Sequence, residues 1–194
     1  MTTTTAPRTP APATVATPAA PLLVATLPTP AGGLTVVLTP EGTVRAAGFA
    51  DADHMIGRLA PDLAARGTRT VDAAALRTAG PGPALVADAV QRYAEGDLTA
   101  LDAVPVEQPG GPFQQRAWQA MRAIAPGETL TYSELAAESG NPAAVRAAGS
   151  ACARNLIAPF VPCHRVLRTD GTLGGYYYGL DVKRSLLAHE RPQG

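Results

Sequence analysis

The amino-acid sequence predicts an α/β (α+β) protein made of two small units. Three observations predict it. Short β-type runs crowd into residues 22–50, and apolar residues recur at helical spacing from residue 83 onward. Between the two halves lies a proline- and glycine-rich loop at 105–112.

The chain opens with MTTTTAPRTPAPATVATPAAP, dominated by threonine, alanine and proline. Such a segment buries too little surface to offset its ordering entropy, so residues 1–21 are expected to form a disordered tail. It lacks the apolar stretch of a signal peptide or anchor. LLVATL (22–27), GLTVVL (33–38) and TVRAAGFA (43–50) read as strands, with Pro40-Glu41-Gly42 as turn chemistry between the last two. Residues 52–60 suit a short helix. Pro83 opens a clearer one, PALVADAVQRYAEGD, with apolar residues at 85, 86, 89, 90 and 93, and Gly96 ends it. Residues 22–104 thus form an N-terminal α/β unit without evident catalytic residues, and 105–112 is the expected linker.

Residues 113–194 read as mostly helical. FQQRAWQAMRAI places Phe113, Ala117, Trp118, Met121 and Ile124 on one face, a helix stopped by Pro126-Gly127. TLTY (129–132) reads as extended, Ser133 as the N-cap of SELAAES, and Gly140 as its end. Asn141-Pro142 is expected to start the next helix, with Pro142 at its first position and Arg146 one turn in. Two short helices joined by a tight turn are a helix-turn-helix signal, although such hairpins also occur in bundles that never touch DNA.

Apolar residues make up 46% of the chain and charged residues 16%, with a mean hydropathy of +0.03. No apolar run approaches the roughly 18 residues of a membrane span, so no membrane partner is expected. The net charge is +0, but its distribution is uneven. Residues 1–112 carry 7 basic and 10 acidic side chains, and residues 113–194 carry 9 and 6. Arg146, Arg154, Arg165 and Arg168 fall in a stretch, 139–169, with no acid. Such a footprint suits a polyanion, and solvated surface arginines suit it equally. Two cysteines without an export signal point to free thiols in a reducing compartment, hence a cytoplasmic protein.

The chemistry concentrates in VPCHRVLR, 161–168. Pro162 bars regular helix entry, which sets Cys163 and His164 on a turn. A thiol attacks as its thiolate, and the adjacent imidazole, the Arg165 charge and a nearby helix N-terminus would each favour that anion. A base needs an orienting group, and DVKRSLLAHE reads as a helix delivering Glu190 for that purpose. Most free cysteines are simply small buried apolar residues, and a bare Cys-His pair does not exclude that. Zinc is disfavoured because Cys152, Cys163 and His164 lack paired ligand spacing.

PCHRV, preceded by a helix-turn-helix with an Asn-Pro start and followed by GGY, resembles the O6-methylguanine-DNA methyltransferases. The resemblance runs from Phe113 to Glu190 and includes Gly127-Glu128-Thr129, Tyr132, NPAAVRAAGSACARN, PCHRV and GGY. It implies a ribonuclease H-like N-terminal unit and a winged-helix-like C-terminal unit. It also implies repair by direct damage reversal. An alkyl group passes irreversibly from O6-alkylguanine, with O4-methylthymine a further possible lesion, to Cys163, once per molecule and without cofactor or metal.

Several roles follow from the resemblance. His164 is the base, acting through a water, Glu190 orients it, and Asn155 braces the turn. Tyr132 donates a hydrogen bond to the flipped guanine. Arg146 fills the gap left in the base stack, while Ala143, Ala144, Ala147, Gly149 and Ser150 allow close approach to DNA. Val166, Tyr176, Tyr177 and Tyr178 belong to the substrate pocket. The expected partner is double-stranded DNA carrying O6-alkylguanine, and the expected state is a monomer.

Leu156 departs from the family's usual proline, which leaves the path 156–161 open. Tyr176-Tyr177-Tyr178 departs from the usual Tyr-Ser-Gly and puts the Tyr178 ring at the pocket rim. Bulky benzyl guanine analogues are therefore expected to react poorly. A binding module of the same family, a cysteine hydrolase and a helix-turn-helix regulator are the competing readings. The intact Cys163 disfavours the first, and the Arg-bearing second helix is superfluous in the second. The regulatory readings would survive loss of the thiol.

Overall fold

The computed structural model describes residues 19–191. Most of the predicted tail therefore lies outside the described residues, and at its described end the Ala20 carbonyl accepts from the Arg66 guanidinium at 2.8 Å. Strands β1 (Leu22–Thr29), β2 (Gly32–Leu38) and β3 (Val44–Gly48) form an antiparallel meander. β4 (Thr68–Thr70) pairs parallel to β1, giving the order β3-β2-β1-β4. The β1–β2 register runs from Leu23↔Leu38 to Thr29↔Gly32.

Side chains of a strand alternate between faces. Leu23, Ala25, Leu27, Leu34, Val36 and Leu38 accordingly share one cluster. Leu22, Val24 and Val37 join another with Met55, Leu59 and Leu63. The first face is covered by α3 (Ala73–Thr78) and α4 (Pro81–Ala94), the second by α1 (Ala52–Gly57) and α2 (Pro61–Ala64). Burial on both faces is why these runs read as nearly continuous apolar sequence. Each such leucine or valine contributes about 1.5–3 kcal/mol.

α1 falls where a short helix was expected, its N-terminus capped by Asp51, which accepts from the His54 amide at 2.8 Å. α4 begins two residues before Pro83. Pro81 and Pro83 occupy its first turn, where a missing amide costs nothing. α2, β4 and α3 escape the sequence pattern because 4, 3 and 6 residues show no usable period.

The C-terminal half comprises α5 (Pro112–Ala123), β5 (Leu130–Thr131), α6 (Tyr132–Glu138), α7 (Val145–Arg154), a 3-10 turn (Cys163–Arg165), β6 (Val166–Leu167) and α8 (Leu180–His189). β5 and β6 pair in parallel. Two helix boundaries correct the sequence expectation. Thr131, not Ser133, caps α6: it is extended (φ −79, ψ 161) and its hydroxyl accepts from the Glu134 amide at 3.2 Å, while the Thr131 amide donates to Glu134 Oε2 at 2.6 Å. This reciprocal box satisfies two orphan amides, and Ser133 already lies inside the helix. α7 begins at Val145, not Pro142. Asn141 Oδ1 accepts from the Ala143 amide at 3.2 Å and holds the preceding residues in a turn. Arg146 is therefore the second residue of α7.

Between these helices Gly140 adopts φ +82, open to glycine at little cost. Its amide donates to Ala137 O at 2.9 Å and the Asn141 amide to Ala136 O at 3.0 Å, which closes α6 and turns the chain. Trp118 Nε1 donates to Ala151 O at 3.0 Å, stapling α5 to α7.

β3 joins the halves. Val44 bonds Pro105 O (2.9 Å) and the Glu107 amide (3.0 Å), while Ala47 bonds Leu156 O (2.7 Å) and the Ala158 amide (3.0 Å). The segment expected as a linker is thus held along its first residues. One apolar cluster runs from Leu23 through Trp118, Phe160 and Cys163 to Leu186. Among the described residues no helix is long and apolar enough to cross a membrane.

Candidate functional site

Cys163 opens the 3-10 turn that follows Pro162. Three residues complete one turn of such a helix, so Cys163, His164 and Arg165 point in three directions. The thiol faces a cavity of about 300 Å³ lined also by Tyr132, Gly149, Cys152, Ala153, Gly175, Tyr176 and Tyr177. It is 8% exposed, covered but not sealed. Burial pushes its pKa up, while the Asn155 amide and the Lys183 charge pull it down. Here the structure corrects the expected source of positive charge. Arg165 turns away, donating to both Glu190 oxygens (2.8 and 2.9 Å) and to Ile124 O (2.5 Å). Lys183, buried on α8, and less strongly Arg58 are the cations that act on Cys163; the Lys183 ammonium donates to Val166 O at 2.7 Å and to Leu173 O.

Asn155 ends α7, and every polar atom of its side chain is engaged. Its Nδ2 donates to Val161 O at 2.7 Å and to Cys163 Sγ at 3.2 Å, and its Oδ1 accepts from the Ile157 amide and from Gln108 Nε2, each at 3.0 Å. Gln108 Oε1 in turn accepts from the Leu156 amide at 2.7 Å. A proline at 156 has no such donor, so this bond and the Ala47 pairing define the path 156–158 in this chain.

His164 is fully buried, and its Nε2 lies 3.0 Å from Glu190 Oε1. Burial lowers the His164 pKa, and the Glu190 hydrogen bond opposes this. Glu190, buried yet hydrogen-bonded by His164 and Arg165, is depressed to about 2 and stays ionised. An ionised carboxylate only accepts, so Nε2 of the neutral ring carries the proton. Nδ1 is then a bare lone pair, and among the described residues it has no hydrogen-bond partner. The arrangement can remove a proton and present a thiolate to a ligand in the cavity.

Tyr132, first residue of α6, reaches the cavity half-buried, and burial raises its phenol pKa. Gly149 lines the cavity from α7, and a Cβ added there would meet no atom within 4 Å, so close helix packing does not require it. Arg146, Ala143 and Ser150 are exposed at the turn and on α7, with Ala144 and Ala147 partly so.

Two expected pocket residues lie elsewhere. Val166 is buried outside the lining, its carbonyl taken by Lys183. Tyr178 turns into the N-terminal half: its hydroxyl accepts from Arg58 Nη1 at 2.9 Å, and its ring meets Phe49 edge-on at 5.9 Å. A Cβ on Gly48 would come within 1.9 Å of that hydroxyl, so only glycine leaves room for it. Tyr177, 53% exposed, takes the place at the rim, stacked under Arg58 at 4.1 Å.

The sequence reading missed Arg58, Tyr93, Gln108 and Lys183. Tyr93 carried the only signal, an apolar helical position that reads as plain core. Among the described residues no group of three or more His, Cys, Asp or Glu is placed to share a metal. A larger cleft of about 470 Å³ beside β1, α3 and α4 contains no thiol, and its Arg77 already binds Asp88 at 3.1 Å.

Comparison with known proteins agrees with this geometry. Residues 112–192 match the family described as 6-O-methylguanine DNA methyltransferase, DNA binding domain. The methylated-DNA–protein-cysteine methyltransferase of Shigella flexneri is 33% identical over 170 residues, covering 87% of this chain and 95% of that one. The chain belongs to this methyltransferase family. The chain is also 52% identical, over 87 residues, to the bifunctional transcriptional activator/DNA repair enzyme Ada of Escherichia coli, a match spanning 45% of this chain and 25% of Ada. Mycobacterium tuberculosis OGT, solved in complex with DNA, superposes with a TM-score of 0.68 at 32% identity, covering 87% of this chain and 92% of that one. The mixed α/β architecture, a small sheet with several helices, is therefore that of methyltransferases in this family.

Proposed function

We propose that the chain repairs DNA by direct damage reversal, transferring a methyl or other alkyl group from the O6 atom of guanine irreversibly to Cys163. One observation carries this reading: a covered thiol faces a cavity, and the next residue is a buried imidazole, bonded to Glu190, whose Nδ1 has no hydrogen-bond partner among the described residues. His164 takes the Cys163 proton through a water, and the thiolate attacks the alkyl carbon. A carbon–sulfur bond forms as the carbon–O6 bond breaks, and its electron pair remains with guanine, which takes up a proton. Tyr132 donates a hydrogen bond to the departing base, Glu190 orients His164, and Asn155 braces the sulfur. The thioether product has no thiolate to regenerate, so each molecule acts once.

Flipping a base costs a few kcal/mol, and an arginine that fills the stack offsets part of it. Arg146 has that role, with Ala143, Ala144, Ala147, Gly149 and Ser150 forming the close surface to double-stranded DNA. Tyr176 and Tyr177 wall the base. On the same reading residues 22–104 are a ribonuclease H-like unit, 113–194 a winged-helix-like unit, and 105–112 their connection. The protein works as a monomer in the cytoplasm, where free thiols persist. O4-methylthymine is a second lesion to be tried.

The test mixes the chain with a duplex containing O6-methylguanine and weighs the intact protein. One methyl per chain on the peptide with Cys163, and none in Cys163→Ala, is expected. Turnover beyond one equivalent, or label elsewhere, overturns the proposal.

A further inference from the structure

We propose that Tyr93 is a positioning residue of this site: from α4 in the N-terminal half, its hydroxyl shares Glu190 Oε1 with His164 and so sets how strongly the carboxylate draws on the imidazole. The inference rests on the reading of His164 as the base. Tyr93 is fully buried, and its hydroxyl donates to Glu190 Oε1 at 2.9 Å, the same oxygen that His164 Nε2 meets at 3.0 Å and Arg165 Nη2 at 2.9 Å. Oε2 receives Arg165 Nε at 2.8 Å. The tyrosine is held at both ends by the segment that carries Glu190. Its ring meets His189 edge-on with centroids 5.0 Å apart, and His189 Nε2 bonds its backbone carbonyl at 2.7 Å.

Three donors on one oxygen spread its charge. The phenol and the guanidinium each lower the negative potential felt by the imidazole, and a hydrogen bond to a charged group is stronger than a neutral one. Removing the phenol donor returns that potential to Oε1, which stabilises protonated His164 and takes the base out of its working form at higher pH. The other titratable groups around this network stay in place: Arg165 and Lys183, which act on His164, Tyr176, which faces Glu190 and Cys163, and His189 against the Tyr93 ring. Arg165 and Lys183 already disfavour the imidazolium, and so does burial. Tyr93 adds a neutral donor that the N-terminal half supplies across the core.

The test follows the rate of methyl transfer to the full chain from a methylated duplex against pH, for wild type, Tyr93→Phe and a chain with 3-fluorotyrosine at 93. The His164 ring shifts are titrated by nuclear magnetic resonance in parallel. In Tyr93→Phe the acidic limb of the profile and the His164 titration both move up by about one pH unit. The fluorinated phenol, a stronger donor of the same shape, moves them down, and it serves if Tyr93→Phe does not fold. Profiles and titrations that superimpose on wild type overturn the proposal, even if stability falls, because a packing role would not move them. Failure of the methyl-transfer reading appears separately, as unmethylated wild type at every pH, while the titration still reports on Tyr93.

Discussion

Among the described residues, every one lining the cavity beside Cys163 lies between Tyr132 and Tyr177, whereas the N-terminal half contributes none of them. That half instead holds one liner, Tyr177, and several residues that neighbour the lining. Tyr93 bonds Glu190, Arg58 binds Tyr177 and Tyr178, and Ala47 pairs with residues 156–158. The difference shows how this molecule divides its labour. Groups that line the cavity come from one stretch of sequence with a dense motif, while groups that brace their surroundings come from afar and look ordinary. A thiol in a covered site needs both, since burial opposes the thiolate and only fixed donors such as Asn155 and Lys183 oppose burial.

The sharpest test of the C-terminal side is Arg146→Ala. Flipping a paired base costs a few kcal/mol, so transfer from a lesion in duplex should fall about 10- to 100-fold, with a smaller loss on a single strand where no gap needs filling. Equal losses on both would place Arg146 in general DNA attraction instead. Gln108→Ala probes the holding side. It strips one donor from Asn155 Oδ1 and orphans the Leu156 amide, so unfolding in urea should show a loss of about 1–3 kcal/mol. Transfer slows from duplex and free methylated base alike, because the change acts on the sulfur's brace and not on DNA. Stability unchanged from wild type would mean that Gln108 is dispensable. The smallest effect separates neighbours at the rim. Tyr177→Gly should raise the rate with benzylguanine relative to methylguanine by a few-fold, whereas Tyr178→Gly, whose ring faces Phe49 and Arg58, should lower stability and leave that ratio unchanged. Equal ratios in the two variants would return Tyr178 to the rim.

Much of the architecture was legible. The three long strands, α4, α5 and the helix-turn-helix all show in apolar period and turn chemistry. PCHRV led to the cavity thiol, to the buried His164 and, through the last helix, to its partner Glu190. What went astray was local competition. Thr131 outcompeted Ser133 as cap because its partner Glu134 stands three residues on, and the Asn141 side chain took an amide that a helix starting at Pro142 would have used. Tyr178 was assigned to the rim because sequence adjacency to Tyr177 says nothing about which way a loop residue turns. Arg165 was credited with acting on Cys163 for the same reason, although the 3-10 turn sends the two side chains apart.

From its sequence alone, then, this chain determined its element types and the identity of its reactive groups, because periodicity and motif chemistry act over a few neighbouring residues. The tertiary structure alone decided which cations act on the sulfur, which nitrogen of His164 is free and which tyrosine lines the cavity rim. Those outcomes depend on donors such as Lys183, Tyr93 and Arg58, brought in from 20 to more than 100 residues away. A hydrogen bond between such partners leaves no pattern along the chain, since its geometry exists only once the core has closed around it.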